Sequence, residues 1–532
     1  MKKSALMLIL FWCTSSVSFS LWAQETDRKG KPFFELKAQG KAVAGHESTA
    51  RASSGDIAVT VEEAILLSLQ NNRALRVAEF NPPIRRTFEE EEEANFAPLL
   101  SAGTQFGREK ARVRARTTGG YIDDTAGEGR AEIGVSKFFP TGTTVTVGAS
   151  GVRSWSDLYT DQYASRVGMS VTQALLRGAG TGVNLASLEQ TRLDTQASEY
   201  EFRGFAEALV AQVEETYWEY ALAQRQIQIF EKSLAVAEQQ LAEIEEMIAV
   251  GRMAEKEVIA AQAEIASQRQ GLIEAQGTMA ATRLRLLRLL NPPGRDLWGR
   301  EVQLLYKPAL PDVKLDPVEA YVEVALRMRP DLNQAKLAVE RGDLEMIKTR
   351  NGLLPKLDFF ITLGKTGYSD SFGKSVKNIT EDYYDVLAGI RFQYPLRNQE
   401  ARARYERSVL RQDQAVEALE NLAQLVELDV RSAYIEVTRA REQITASTAT
   451  RRLQEEKLRV ETEKVRVGRS TVFLVSQAQR DLLSSEIVEV RAIVAYLKAL
   501  VELYRLGGTL LERRGIAAPG RDPVVLKAPF RP

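Results

Sequence analysis

Two hydrophobic periods alternate along this chain. In one long stretch, apolar or small residues fall at Leu209, Val213, Thr216, Tyr220, Ala223, Ile227 and Phe230 and onward to Ile248, in alternating steps of four and three. The same alternation returns from Val258 through Ala261, Ile265, Gln268 and Leu272 to Leu289. A sustained seam of this kind predicts supercoiled helices. No proline and only Gly204 interrupt the run from Asn184 to Val250, so one helix there would reach roughly 100 Å at about 1.5 Å per residue. Gly251 divides the two seams, and Gly468 stands in the same place later, each inside a Val-Gly-Arg tripeptide. Glycine adopts the left-handed conformation that ends a helix at little cost. Each tripeptide therefore reads as the tip of an antiparallel helical hairpin, with the two tips side by side. The later seam runs Val426, Val430, Ala433, Val437, Ala440 and Ile444, then turns polar at Ser447, Arg451 and Gln454. A helix facing water, such as a lumen, is expected there.

Elsewhere the period is two. Ala131, Ile133, Val135 and Phe139 alternate with Glu132, Gly134 and Ser136. Val145, Val147 and Ala149 alternate with Thr144, Thr146, Gly148 and Ser150. Leu357, Phe359, Ile361 and Leu363 share one side of a run, as do Val386, Ala388, Ile390, Phe392 and Tyr394. Strands with one apolar and one small or polar face, each about 9–11 residues long, suit a water-filled membrane barrel. A half-buried soluble sheet has the same alternation. Arg108, Lys110, Arg112, Arg114 and Arg116 fall on one strand face, either as a solvated extension or as a basic lining at a channel mouth.

The chain is also written twice. Val61 aligns with Val318 and Pro98 with Pro355 at one offset; Tyr217, Gly251, Gln262 and Leu289 align with Tyr434, Gly468, Gln479 and Leu506 at another. The first repeat, 57–291, carries strands in 99–176 and a hairpin tip near 251. The second, 317–508, carries strands in 355–396 and a tip near 468. Between Pro98 and Gln173 lie 75 positions, against 38 between Pro355 and Gln393, so the first repeat is 37 residues longer there. That surplus holds two strand-like runs around Phe138–Thr143, read as an added hairpin. A Pro-rich linker, 292–316, joins the repeats, and a C-terminal tail, 509–532, expected to be irregular from Gly515 onward, follows them.

Composition narrows the chemistry. The 532 residues would suggest about three or four domains by length, a count the repeat replaces. Lys and Arg (71) balance Asp and Glu (71), so no nucleic-acid partner is expected. One His (His46) and one Cys (Cys13) leave no ligand cluster for zinc, haem or iron–sulfur groups. Lys2 and Lys3, then the apolar run Ala5–Trp12 and small residues up to Ala23, form a secretory signal at 1–23. Cys13 is expected to leave with it. Residues 24–56 read as a flexible lead-in. No later run of about 18 apolar residues marks a membrane helix.

The stretches VEEAILLSLQNNRAL, FAPLLSAGTQFG, VTQALLRGAGTGVNLASLEQ, LLPKLDFFITLG and FQYPL, with the two VGR tips, resemble the outer membrane efflux protein family, the TolC-like channels. The resemblance spans nearly all of 60–508. It implies a mostly helical fold with a transmembrane β part: a TolC-like α/β-barrel whose long antiparallel coiled-coil helices and membrane strands form one trimeric pore. It implies an outer membrane location with a large periplasmic part, and the channel role in a tripartite efflux or type I secretion system. The partners would be two further copies in a homotrimer, outer membrane lipid, a periplasmic adaptor protein and an inner-membrane transporter of RND or ABC type. Adaptor docking would fall to Val250, Gly251, Arg252, Val467, Gly468 and Arg469. Neither catalysis nor a cofactor is implied.

This chain departs from the family in two places. Some members carry acidic residues just after the second Val-Gly, where Leu474 and Gln477 stand here, so a periplasmic gate at this level would constrict by apolar packing or dewetting. The added hairpin exceeds the usual two strands per repeat. The competing reading is an exported coiled-coil scaffold or adhesin with a soluble β domain.

Overall fold

The computed structural model describes residues 35–36, 57–114, 119–251, 254–294, 297–305 and 314–526. The expected signal segment, with Cys13, lies outside the described residues, as do all but two residues of the lead-in, with His46. Arg116 and Arg252 also lie outside them.

The first repeat opens with helices α1 (Val61–Asn71), α2 (Arg73–Ala78) and α3 (Asn81–Ala94). Thr60 caps α1: its hydroxyl accepts from the Glu63 N–H while the Glu63 carboxylate accepts from the Thr60 N–H. Strands β1 (Leu99–Arg114), β2 (Tyr121–Phe139), β3 (Thr143–Ser156) and β4 (Gln162–Ala174) follow, then helices α4 (Ala186–Ala249) and α5 (Lys256–Leu290). The second repeat supplies α6 (Val318–Met328), α7 (Pro330–Gly352), β5 (Lys356–Ser369), a short α8 (Phe372–Lys377), β6 (Tyr384–Gln393), α9 (Gln399–Arg466) and α10 (Val472–Leu506). The two longest helices have 64 and 68 residues, roughly 100 Å each at about 1.5 Å per residue.

All six strands form one antiparallel sheet in the order β1-β2-β3-β4-β5-β6. The surplus of the first repeat is the β2–β3 hairpin, and it takes a central place in the sheet. Its turn meets the strand-to-helix junction after β4: the Asn184 amide donates to the carbonyls of Pro140, Gly178 and Gly180 at 2.9–3.0 Å.

The expected seams are the helix–helix contacts. Val213, Tyr220, Ala223, Ala237 and Ile244 of α4, and Ala261, Ile265, Ala275 and Leu286 of α5, are buried. Phe230 packs where Gly271 leaves room: a Cβ there would lie 2.4 Å from its ring. One apolar core gathers α1, α4, α5 and α10, with Tyr217 and Tyr220 donating to the carbonyls of Val59 and Val302. Those carbonyls belong to a short parallel pair, Ile57–Val59 with Val302–Leu304, which ties the linker to the first repeat. A second core joins α6, α9 and α10 through Val426, Val430, Val437 and Leu500.

Two expectations change. The polar stretch of the α9 seam does not face water. Ser447 is buried, and Arg451 bonds Glu489 of α10 at 2.6 Å, with only 17% of the Glu489 side chain exposed. The period persists because Ser447 and Arg451 find partners, the Ile444 carbonyl and Glu489, while the Gln454 side-chain oxygen is buried without one. The tail is packed and partly regular: it holds the short helix Leu510–Arg513 and pairs Ile516–Ala517 with Glu35–Leu36, while Val524 N–H donates to Asn333 at 2.9 Å, Tyr200 bonds the Asp522 carbonyl, and Arg514 pairs with buried Glu214.

Candidate conduit surface and helical tips

Directly opposed residues in an antiparallel sheet share a face, so the register sorts every strand residue. One row crosses all six strands as Leu100, Val135, Val147, Met169, Leu363 and Val386. All six side chains are exposed. The neighbouring row on the same face runs Ala102, Ile133, Ala149 and Val167 before turning to Lys365 and Tyr384. An uncovered apolar surface of this extent is unfavourable in water and suits hydrocarbon.

The opposite face is small and polar. Its central row reads Ser101, Gly134, Gly148, Gly168, Gly364 and Asp385, with glycine on four successive strands. A parallel row carries Ser136, Thr146, Ser170, Thr362 and Leu387. Sequence alternation anticipates the two faces strand by strand. The glycine row is visible only once the pairing is known.

Arg108, Lys110, Arg112 and Arg114 have the same parity as Leu100. They therefore lie on the apolar face, at the end of the sheet farthest from the helices, and not on the small polar face that a channel lining requires. Below them comes an aromatic row. Phe106 stacks on Trp155 at 5.0 Å, and the Arg153 guanidinium lies over both Trp155 and Tyr163. Phe139 and Phe359 mark the other end of this face. The ten residue steps from Phe139 to Gly129 span roughly 33 Å along the strand, or about 25 Å of height at a tilt of about 40°. That matches the apolar band of an outer membrane barrel, bounded by aromatic girdles.

At the far pole, the two tips are built alike. Gly251 and Gly468 have φ of 69° and 72°, and their N–H groups close the last helical turns onto Ile248 and Val465, both at 2.9 Å. The preceding valines are equally bare: Val250 is 69% exposed and Val467 68%. Arg469 lies just past the second glycine, with its backbone N–H on the Lys464 carbonyl. The tips meet through a small apolar cluster of Ile244, Ala261 and Val472. Arg480 of α10 pairs at 2.6 Å with Glu264 of α5, which is buried. Leu474 and Gln477 stand one turn apart on the exposed side of α10, opposite buried Val475 and Ala478. Phe473, which sequence reasoning passed over, is exposed beside them.

Among the described residues, no helix is long and apolar enough to cross a membrane, and no group of His, Cys, Asp or Glu is arranged to hold a metal ion.

A sheet with one lipid-compatible face and one small, polar face, carried on helices of about 100 Å, defines a membrane channel protein with a long helical extension. The family model for outer membrane efflux proteins matches residues 64–292 and 321–509, and the chain belongs to that family. No curated protein sequence matches it. Among solved structures, the fold is similar to the CmeC outer membrane channel of Campylobacter jejuni, with TM-score 0.62, 15% identity, and 85% of this chain and 86% of that one covered. It is likewise similar to the open state of the MtrE outer membrane channel of Neisseria gonorrhoeae, with TM-score 0.60, 19% identity, and 85% and 89% covered. CusC, described by its transmembrane channel formation, aligns with TM-score 0.62 and 18% identity over 89% of this chain and 99% of its own.

Proposed function

We propose that three copies of this chain close one barrel and act as a passive exit duct in a tripartite efflux or type I secretion system. The observation that carries this is the opposition of the Leu100–Val386 row to the glycine row on one open sheet. The sheet leaves β1 and β6 as free edges. Unpaired N–H and C=O groups are too costly in hydrocarbon for those edges to stay open. Three sheets of six strands close into eighteen, a number that leaves an aqueous channel. The long hairpins then extend the duct into the periplasm.

A periplasmic adaptor docks on the tips, and an inner-membrane pump of RND or ABC type supplies the energy. The matched geometry of the tips and their bare valines support this assignment for Val250, Gly251, Arg252, Val467, Gly468 and Arg469. Phe473, Leu474 and Gln477 form the periplasmic constriction.

The mass of the detergent-extracted protein tests the assembly. A species of about three chains that conducts in planar bilayers is expected; a monomer released by salt alone would refute the duct. Docking is tested by Gly468→Val, which places a β-branched residue at positive φ. Export should fall while the trimer persists, and an unchanged export rate would rule out docking at the tips.

A further inference from the structure

We propose that the apolar face of the sheet holds a binding site for a phosphorylated lipid of the outer leaflet, with an acyl chain lying beside α8 and a phosphate on the basic residues beyond it. The inference rests on the channel reading, which puts this face against the membrane.

A groove of about 920 Å³ lies on this face. Its floor is made of Ala102, Gly129, Ala131 and Gly151, all of the parity of the apolar rows. Thr104, Ile133 and Val167 of the same face border these small residues, and the Phe372 ring lies over Gly151, where a Cβ would come within 3.0 Å of it. Phe106 walls one side, and Phe372 and Val376 of α8 wall the other. Helix α8 is fastened in place. Its Ser375 hydroxyl hydrogen-bonds Ser165 at 2.7 Å, and its backbone sits so close to Gly367 that a Cβ there would lie 2.1 Å from the Ser375 carbonyl oxygen. Phe372 and Val376 nevertheless remain 58% and 46% exposed. A fixed helix that presents exposed apolar side chains beside Ala102, Gly129 and Ala131 leaves an apolar groove suited to a hydrocarbon chain.

The slot lies at the aromatic row, and its end away from the helices is basic. Arg153 lines it, and Arg108 occupies the next row out. Three acids near this end are paired: Asp123 with Arg112 and Lys110, Asp370 with Lys374, and Asp161 with Arg153, a contact the phosphate would have to share or displace. Arg108 has no carboxylate partner among the described residues, and neither does Lys377 at the end of α8. Arginine forks bind phosphate through charge-assisted hydrogen bonds. A soluble anion would explain the arginines but not the apolar slot; a neutral lipid would explain the slot but not the arginines. The helices fill the opposite side of the membrane, which sets the phosphate in the outer leaflet.

The test uses the detergent-purified full-length protein, titrated by native mass spectrometry with diphosphorylated lipid A, with the same lipid lacking phosphates, and with inorganic phosphate. The diphosphorylated lipid should bind at least about tenfold more tightly than the dephosphorylated one, with inorganic phosphate failing to compete. Arg108→Ser combined with Arg153→Gln should abolish that preference. Ala131→Trp, which fills the slot and leaves the charges, should weaken both lipids alike. Equal affinity for the two lipids, a preference that survives the arginine changes, or displacement by inorganic phosphate would each overturn the proposal. A protein that needs no detergent would remove the channel reading and this inference together, a failure recognised before any titration.

Discussion

Arg166 of β4 and Asp385 of β6 pair over the strand that separates them, across Gly364 of β5. Arg166 Nε donates to Asp385 Oδ1 at 3.1 Å, with a second contact through Nη2. A Cβ at position 364 would fall 2.5 Å from Arg166 Nη2 and 2.7 Å from Asp385 Oδ1. The glycine row is therefore not only space for a lumen; it lets charged side chains lie flat along the wall. The pair is 38% and 45% exposed, so it contributes below about 1 kcal/mol to stability. Asp385→Asn should leave unfolding almost unchanged and move the reversal potential of single channels toward anion preference, because Arg166 loses its counter-charge. An unaltered reversal potential would place the pair outside the conduction path.

The sharpest pH response should come from Glu207. It is buried beside Arg203, 3.4 Å away, and Arg203 also pairs with Glu512. Burial, partly offset by Arg203, raises its pKa to about 8. The folded state thus binds a proton there that the unfolded state has released above about 4.5. This contribution is fully present below the unfolded pKa and is lost as pH rises through about 8. Between pH 6 and 8 the loss is about 2 kcal/mol. Glu207→Gln should flatten thermal stability over that window; a slope equal to wild type would assign the pH response to another group.

Gly271 and Phe230 make a separable packing test. Gly271→Ala drives a methyl into the Phe230 ring and should cost about 1–3 kcal/mol. Adding Phe230→Leu should recover part of that loss. Thermal unfolding of the two single variants and the double variant closes the cycle, and strict additivity would mean the pair does not couple.

Near the tips, Arg480 and Glu264 fasten the second hairpin to the first. Arg480→Ala removes the charge partner of the buried Glu264 carboxylate and leaves it only the Gln268 amide, which is destabilising. The expected outcome is a looser periplasmic end, read as higher bilayer conductance and faster proteolysis near 251 and 468. Unchanged conductance with normal proteolysis would show that the apolar cluster of Ile244, Ala261 and Val472 holds the tips unaided.

Much of this architecture is legible without coordinates because its periods are local. Steps of four and three put Val213, Tyr220 and Ile244 on one helix stripe whatever they pack against. Gly251 and Gly468 end helices through their own backbone. Alternation along β2 and β3 separates Val135 and Val147 from Gly134 and Gly148 in the same local way. The polar part of the α9 seam reads as water-facing from sequence because Glu489, the partner of half-buried Arg451, lies on another helix. On β1, Arg108 shares its parity with Leu100 and Phe106, so the basic run continues the apolar face.

By itself, then, the sequence determined the two repeats, the helical hairpins with their glycine tips, the added β2–β3 hairpin and the two-faced strands. Tertiary structure alone decided what lies beside what across two hundred residues of chain or more: the row from Leu100 to Val386, the glycines beneath Arg166 and Asp385, and the seat of α8. The physical reason is that helix and strand periodicity follow from backbone geometry within a few residues. Strand register and ion pairing depend instead on long-range contacts, whose partners no local window contains.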